Sequence, residues 1–178
     1  MKYLVLVFGL LASSWAVAQE TPFQFSPLPL DARTHQVLYT GTVPKAATAA
    51  QLLERAQSWP GSAPYQATLR RCNPETGTMK MRVDSRHGLE NYTGQLTIRV
   101  EDGAYTYHLT DLTYTQPGFA RAGKHSPGTI TQRLESLVYT RPSKYRTRKL
   151  TEIHARLQQL LESLHQAMHA EGPDLVTR

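Results

Sequence analysis

Alternation of apolar and polar residues along 79–84, 95–100 and 105–109 predicts two β-hairpins in the middle of the chain. The strands of the first are residues 68–72 and 78–84, and those of the second are residues 95–100 and 104–114. Turn-forming sequences, NPETG and EDG, separate the two strands of each pair. The alternation changes phase near Thr110-Asp111, which predicts a β-bulge there. The apolar positions on the predicted buried side are Met79, Met81, Val83, Leu96, Ile98, Val100, Tyr105 and Tyr107.

A strand and an amphipathic helix precede the hairpins. Residues 35–43 are rich in β-branched and aromatic side chains, which is typical of a strand. The helix begins after Thr48, a good N-cap residue, and Gln51 three positions later completes a capping-box pattern. Apolar residues follow at helical spacing as far as Trp59, and Pro60-Gly61 is predicted to end the helix.

The C-terminal third of the chain predicts a long helix. Leucine, isoleucine and methionine recur every three or four positions from Leu150 to Met168, and Gly172-Pro173 closes the pattern. Residues 116–128 have the composition of a loop. Residues 129–147 are ambiguous, because apolar positions at 134, 137 and 138 indicate a short helix that Pro142 must limit.

The predicted fold class is α+β, with the order β-α-β-β-β-β-α. Strands that alternate and helices that are apolar on one side both need a partner surface, so we expect a five-stranded antiparallel sheet with two helices on one face. The expected organisation is a signal peptide at 1–18, a flexible N-terminal linker at 19–34, a single domain at 35–172 and a C-terminal tail at 173–178.

The first 18 residues have the three parts of a cleavable signal peptide. Lys2 provides the positive charge, Tyr3–Ala12 forms an apolar stretch, and Ala16-Val17-Ala18 places small residues at a cleavage site. The alternative, a membrane anchor, would need about 20 apolar residues. We therefore expect a periplasmic or extracellular protein with no transmembrane segment after cleavage.

Composition limits the chemical class of the expected binding partner but does not identify a single one. The formal net charge is +6 at pH 7, which favours an anionic envelope component or another envelope protein, and the expected export argues against nucleic acid. The single cysteine, Cys72, excludes an internal disulfide.

The polar side of the predicted sheet is the strongest candidate for a binding surface. If the apolar positions face the helices, alternation sends a basic set to the opposite, open face, with threonines between its members. An ordinary solvated sheet face is the competing and commoner interpretation. The candidate binding residues are Arg70, Lys80, Arg82, Arg99 and His108.

Catalytic, metal and cofactor chemistry have little support in the sequence. His154, His165 and His169 share one side of the last helix, but partly buried histidines at its boundary are commoner than a metal site. Cys72 has no flanking catalytic motif, and sequence motifs for phosphate loops, dinucleotides or a serine nucleophile are missing. We therefore assign no catalytic residue, no metal ligand and no cofactor.

The basic segment 141–149 either attracts anionic lipid or polysaccharide or, as we favour, is a solvated linker into the last helix.

Three segments resemble a known family. YTGTV at 39–43, LLERAQSW at 52–59 and QLTIRVEDGAY at 95–105 are similar, in order and spacing, to an exported bacterial family of unknown function that is common in Bacteroidota. The resemblance covers roughly residues 35–115 and implies a TATA-binding-protein-like (TBP-like) fold and an exported location. It implies no catalytic or ligand residues. Ala104 departs from the family, which often has a basic residue there.

The sequence thus favours a non-enzymatic binding or interaction module of the cell envelope that uses an open basic sheet face. The alternative is an envelope-acting hydrolase with unidentified catalytic residues. A third interpretation is a subunit held through a sheet edge or the long helix. A binder should show a broad basic surface, whereas an enzyme should show a cleft where titratable side chains converge.

Overall fold

A computed structural model describes residues 26–62, 66–117 and 128–170. The predicted signal peptide and C-terminal tail lie outside these ranges. The elements are β1 (Tyr39–Pro44), α1 (Ala49–Ser62), β2 (Gln66–Asn73), β3 (Thr78–His87), β4 (Glu90–Glu101), β5 (Ala104–Pro117), β6 (Thr129–Arg133), α2 (Leu134–Val138) and α3 (Lys144–His169).

The strands form one antiparallel sheet in the order β1-β5-β4-β3-β2, and β6 also pairs with β5. β1 pairs with residues 104–109 of β5, whereas β6 pairs with residues 113–117. The two strands therefore share the edge of β5 that β4 does not occupy. The five predicted strands are confirmed, and β6 is an addition from the segment that the sequence left ambiguous.

The helices cover one face of the sheet, as predicted. Of the eight apolar positions that define the predicted buried side, seven are buried and Tyr107 is half-buried against the core. α1 contacts α3 directly, and the indole Nε1 of Trp59 donates a hydrogen bond to Ser163 Oγ at 3.2 Å. Within the described residues, no helix is both long enough and apolar enough to cross a membrane.

Local signals in the sequence specify several element boundaries. The capping box of α1 is present, with Thr48 N donating to Gln51 Oε1 at 3.0 Å and Gln51 N donating to Thr48 Oγ1 at 3.3 Å. The predicted bulge is confirmed, because β5 has one extra residue opposite β4 and Asp111 adopts a φ of 52°. Pro60 does not end α1, which continues to Ser62 with the proline in its last turn.

Two segments differ from the expectation. The folded domain begins before residue 35, because Leu28 is buried in the core and Leu30 bridges to Val37, so residues 28–34 are not a flexible linker. Segment 141–149 is not a solvated linker, since α3 begins at Lys144 and runs through most of it. Because residues 141–149 are mostly polar, they show no apolar periodicity from which the start of α3 could be predicted.

Candidate functional site

The face of the sheet opposite the helices carries the predicted basic set. Lys80, Arg82, Arg99 and His108 all project from this open face and are exposed. No helix of the described chain covers them, since the outward positions stay accessible while their neighbours along each strand are buried.

A β-bulge that the sequence did not reveal changes the basic set. β2 pairs Leu69 with Met81 but Arg71 with Lys80, so Arg70 is the extra residue of the bulge. The register therefore places Arg71 beside Lys80 on the open face, and Arg70 lies exposed next to it. Because both adjacent arginines are polar, the phase slip is marked in the sequence only by the odd spacing of Leu69 and Cys72, which pair with the buried Met81 and Met79.

These side chains surround a concavity of about 280 Å³ on the open face. We call it the basic hollow. The bulge of β2 forms one side, and the bulge of β5 supplies an acidic residue at the other. The residues that line the basic hollow are Arg70, Arg71, Lys80, Met81, Arg82, Thr93, Gly94, Gln95 and Asp111.

The charges of the basic hollow are only partly neutralised. Arg82 forms an ion pair with Asp84 on its own strand at 3.2 Å. In the part of the chain that the structure describes, Arg70, Arg71 and Lys80 form no ion pair. Three free cations on a concave surface attract anions more strongly than the same charges spread over a flat one.

The remaining two predicted residues lie elsewhere on the open face. Arg99 pairs with Glu101 at 3.1 Å, and the Nδ1 atom of His108 lies 3.1 Å from Thr40 Oγ1. Neither residue lines the basic hollow. The structure thus brings together Arg70, Lys80 and Arg82 of the predicted set and adds Arg71 to them.

Titratable side chains converge on the opposite, helix-covered face. Glu90 Oε1 accepts a hydrogen bond from Tyr114 at 2.7 Å, and its Oε2 accepts one from Tyr92 at 2.8 Å and another from the Lys149 ammonium. Burial raises the pKa of Glu90, but the hydrogen bonds from Lys149 and both tyrosines outweigh it and hold that pKa below its usual value. Donors from both α3 and the sheet converge on this carboxylate, so the cluster ties α3 to the sheet.

Two histidines of α3 contact tyrosines of the sheet. The Tyr39 hydroxyl lies 2.9 Å from His154 Nδ1, and the Tyr105 hydroxyl lies 2.6 Å from His165 Nδ1. Across the described ranges, no three His, Cys, Asp or Glu side chains are grouped closely enough to hold a metal ion. His154 and His165 thus contribute to the packing of α3 against the sheet.

Acidification is expected to weaken the fold through His165. Burial lowers the pKa of His165 below the ordinary value of 6.5, so the unfolded chain binds the proton first as pH falls. Stability should therefore decrease as pH drops from 7 towards the folded pKa, by at most about 1.4 kcal/mol per pH unit. Urea unfolding at several pH values measures this slope. His165→Asn, which keeps an acceptor but does not titrate, should show a shallower slope, and an unchanged slope would contradict the assignment.

Comparison with solved structures shows what fold the chain shares. It matches a TBP-like protein from Parabacteroides distasonis with a TM-score of 0.62 and 14% identity, over 81% of this chain and 99% of that one. It also matches a DUF4468 family protein from Bacteroides ovatus with a TM-score of 0.56 and 13% identity, over 86% of this chain and 96% of that one. The fold is TBP-like. This confirms the predicted fold class, and at such identities the likeness extends to the fold alone.

Sequence comparisons add nothing further, since no family model and no curated protein matches the chain. The features that distinguish this TBP-like domain therefore lie on its own surface. Its two faces differ chemically: one is packed beneath helices, and the other presents the basic hollow.

Proposed function

We propose that the protein is an exported, non-enzymatic binding module of the cell envelope whose basic hollow binds anionic polymers. The observation that carries the proposal is the group of three basic side chains, Arg70, Arg71 and Lys80, that form no ion pair with any described residue and lie around a concavity on the uncovered sheet face. The export features of residues 1–18 support the location.

The shape of the basic hollow favours a polymer over an enclosed small molecule. The concavity of about 280 Å³ opens onto an exposed sheet, so a ligand chain can enter and leave along the surface. Arginine donates paired hydrogen bonds to phosphate, sulfate and carboxylate oxygens, and Gln95 and Thr93 add neutral polar groups beside it. Such a surface recognises repeated anionic groups mainly by charge.

Binding fits the structure better than hydrolysis. The basic hollow contains one carboxylate, Asp111, whereas acid–base cleavage of a glycosidic bond commonly uses two. The converging titratable groups lie on the other face, where Glu90, Lys149 and two tyrosines satisfy one another. We therefore assign no catalytic residue.

Charge reversal in the basic hollow is expected to abolish most of the binding. The probe is dextran sulfate, compared with uncharged dextran, at low salt. Each basic side chain at an anionic surface contributes on the order of 1 kcal/mol, so Arg71→Glu combined with Lys80→Glu should weaken binding by at least about tenfold. Titration calorimetry of the mature protein gives the affinities, and raising the salt concentration should weaken wild-type binding.

A matched double variant distinguishes binding at the basic hollow from attraction by the net charge of the whole protein. Arg33→Glu combined with Arg148→Glu changes the net charge equally, but both residues are exposed and lie away from the basic hollow. This variant should bind dextran sulfate nearly as well as the wild type. Equal losses in the two double variants would contradict the proposal, as would equal binding of uncharged dextran.

A further inference from the structure

A second cavity lies where α2 is followed by α3, on the helix-covered side of the sheet. Its volume is about 440 Å³, within the range typical of small-molecule sites. We call it the corner cavity. Tyr114, Leu137, Leu150 and Tyr145 provide apolar and aromatic walls, and Tyr145 is 70% exposed at the rim.

A buried cation, Arg146, lines the corner cavity. It is only 8% exposed, and it donates from Nη1 to Thr140 O at 2.9 Å and from Nη2 to Val138 O at 2.7 Å. Its Nε is buried without an acceptor, and no carboxylate within the described residues pairs with it. A buried guanidinium without a counter-charge is costly, so the site favours an anion.

The start of α3 adds to this positive potential. Ser143 is the N-cap, and its Oγ accepts a hydrogen bond from Arg146 N at 3.1 Å. The first turn of α3 has no acidic residue to offset the positive end of the helix dipole. Lys149 is neutralised by Glu90, but Arg141 at the mouth of the corner cavity has no ion pair in the described chain. Arg146, Arg141 and the helix terminus therefore act on the same cavity with the same sign.

We propose that the corner cavity binds a small organic anion with one phosphate or carboxylate group and an aromatic or aliphatic body. The anionic group faces Arg146 and the first turn of α3, and the body packs against the side chains of Tyr114, Tyr145 and Leu150. This site and the basic hollow are on opposite faces of the sheet, so they bind independently.

Phenyl phosphate tests the site because it has both an anionic phosphate group and an aromatic body. Titration of the mature protein, followed by amide chemical shifts in nuclear magnetic resonance, should move the resonances of residues 143–149. Inorganic phosphate should bind at least about fivefold more weakly because it lacks the apolar body, and benzyl alcohol should not bind because it lacks the charge. No shift in residues 143–149 at millimolar phenyl phosphate would overturn the proposal.

Variants separate an anion site from a purely structural arginine. Arg146→Met should weaken phenyl phosphate binding by about tenfold and abolish the increase in melting temperature that phenyl phosphate gives the wild type. Arg141→Gln and Tyr145→Ala change exposed side chains that the fold does not require, and each should weaken binding by about threefold even if the Arg146 variant does not fold. Arg33→Glu, at an exposed position that lines neither cavity, should leave binding unchanged. Unaltered affinity in both exposed-residue variants would overturn the assignment.

Discussion

Replacing Glu90 with glutamine is expected to lower the free energy of unfolding by about 3 kcal/mol, because it leaves the buried Lys149 ammonium with only the longer 3.8 Å contact to Glu152. Lys149 is only 9% exposed, and Glu90 is its nearest acidic partner. Glutamine also offers one carbonyl oxygen where the carboxylate accepts hydrogen bonds from Lys149, Tyr92 and Tyr114. Urea unfolding followed by tryptophan fluorescence gives the change, with an unaltered dependence on urea.

A neighbouring glutamate provides the control for this experiment. Glu152 lies 3.8 Å from Lys149 and is about one-third exposed, so Glu152→Gln should cost less than about 1 kcal/mol. Adding Lys149→Met to Glu90→Gln should recover part of the lost stability, because it removes a buried charge that keeps only its longer contact to Glu152. Equal effects of Glu90→Gln and Glu152→Gln would show that the network does not join α3 to the sheet.

Gly77→Ala is expected to destabilise the protein by about 3 kcal/mol. Gly77 closes the turn between β2 and β3 with a φ of +58°, and its carbonyl accepts a hydrogen bond from Val100 N at 2.8 Å. A Cβ there would lie 2.5 Å from Val100 O, a backbone atom that cannot move without disturbing β4. The left-handed backbone costs an alanine about 1–2 kcal/mol, and the clash adds to this. Urea unfolding measures the total.

Gly88 allows the two contributions to be separated. It has nearly the same φ, +56°, but a Cβ there would meet no atom within 4 Å. Gly88→Ala should therefore cost only the left-handed backbone conformation, about 1–2 kcal/mol. If both alanine variants lost the same stability, the close approach of the turn to β4 would have no energetic role.

The elements that the sequence predicted best are those whose pattern is set by one buried face. β3 and β4 lie in the interior of the sheet. The apolar residues that alternate along Met79 to Val83 and Leu96 to Val100 therefore mark the buried face of the sheet. The bulge at Asp111 was visible because apolar residues on both sides of it define the phase. The bulge at Arg70 was not, because its neighbours in the edge strand β2 are polar or exposed.

The residues of the corner cavity show a second reason why part of the structure could not be predicted from the sequence. Arg146 and Lys149 belong to a basic segment that would be expected to be solvated at the start of a helix, yet both side chains are buried. Burial of Lys149 depends on Glu90, and burial of Arg146 depends on the carbonyls of Val138 and Thr140. Such contacts between distant or irregular segments leave no periodic signal, so tertiary structure is needed to find them.

The central claim is that the uncovered sheet face binds anionic polymer through the basic hollow. The most direct measurement is a chemical-shift titration of the protein with short dextran sulfate chains. We predict that the largest changes map to outward positions of β2, β3 and β4, including Arg71, Lys80 and Gln95, while the outer surfaces of α1 and α3 are unaffected. Changes concentrated on the helices, or equal changes with uncharged dextran, would contradict it.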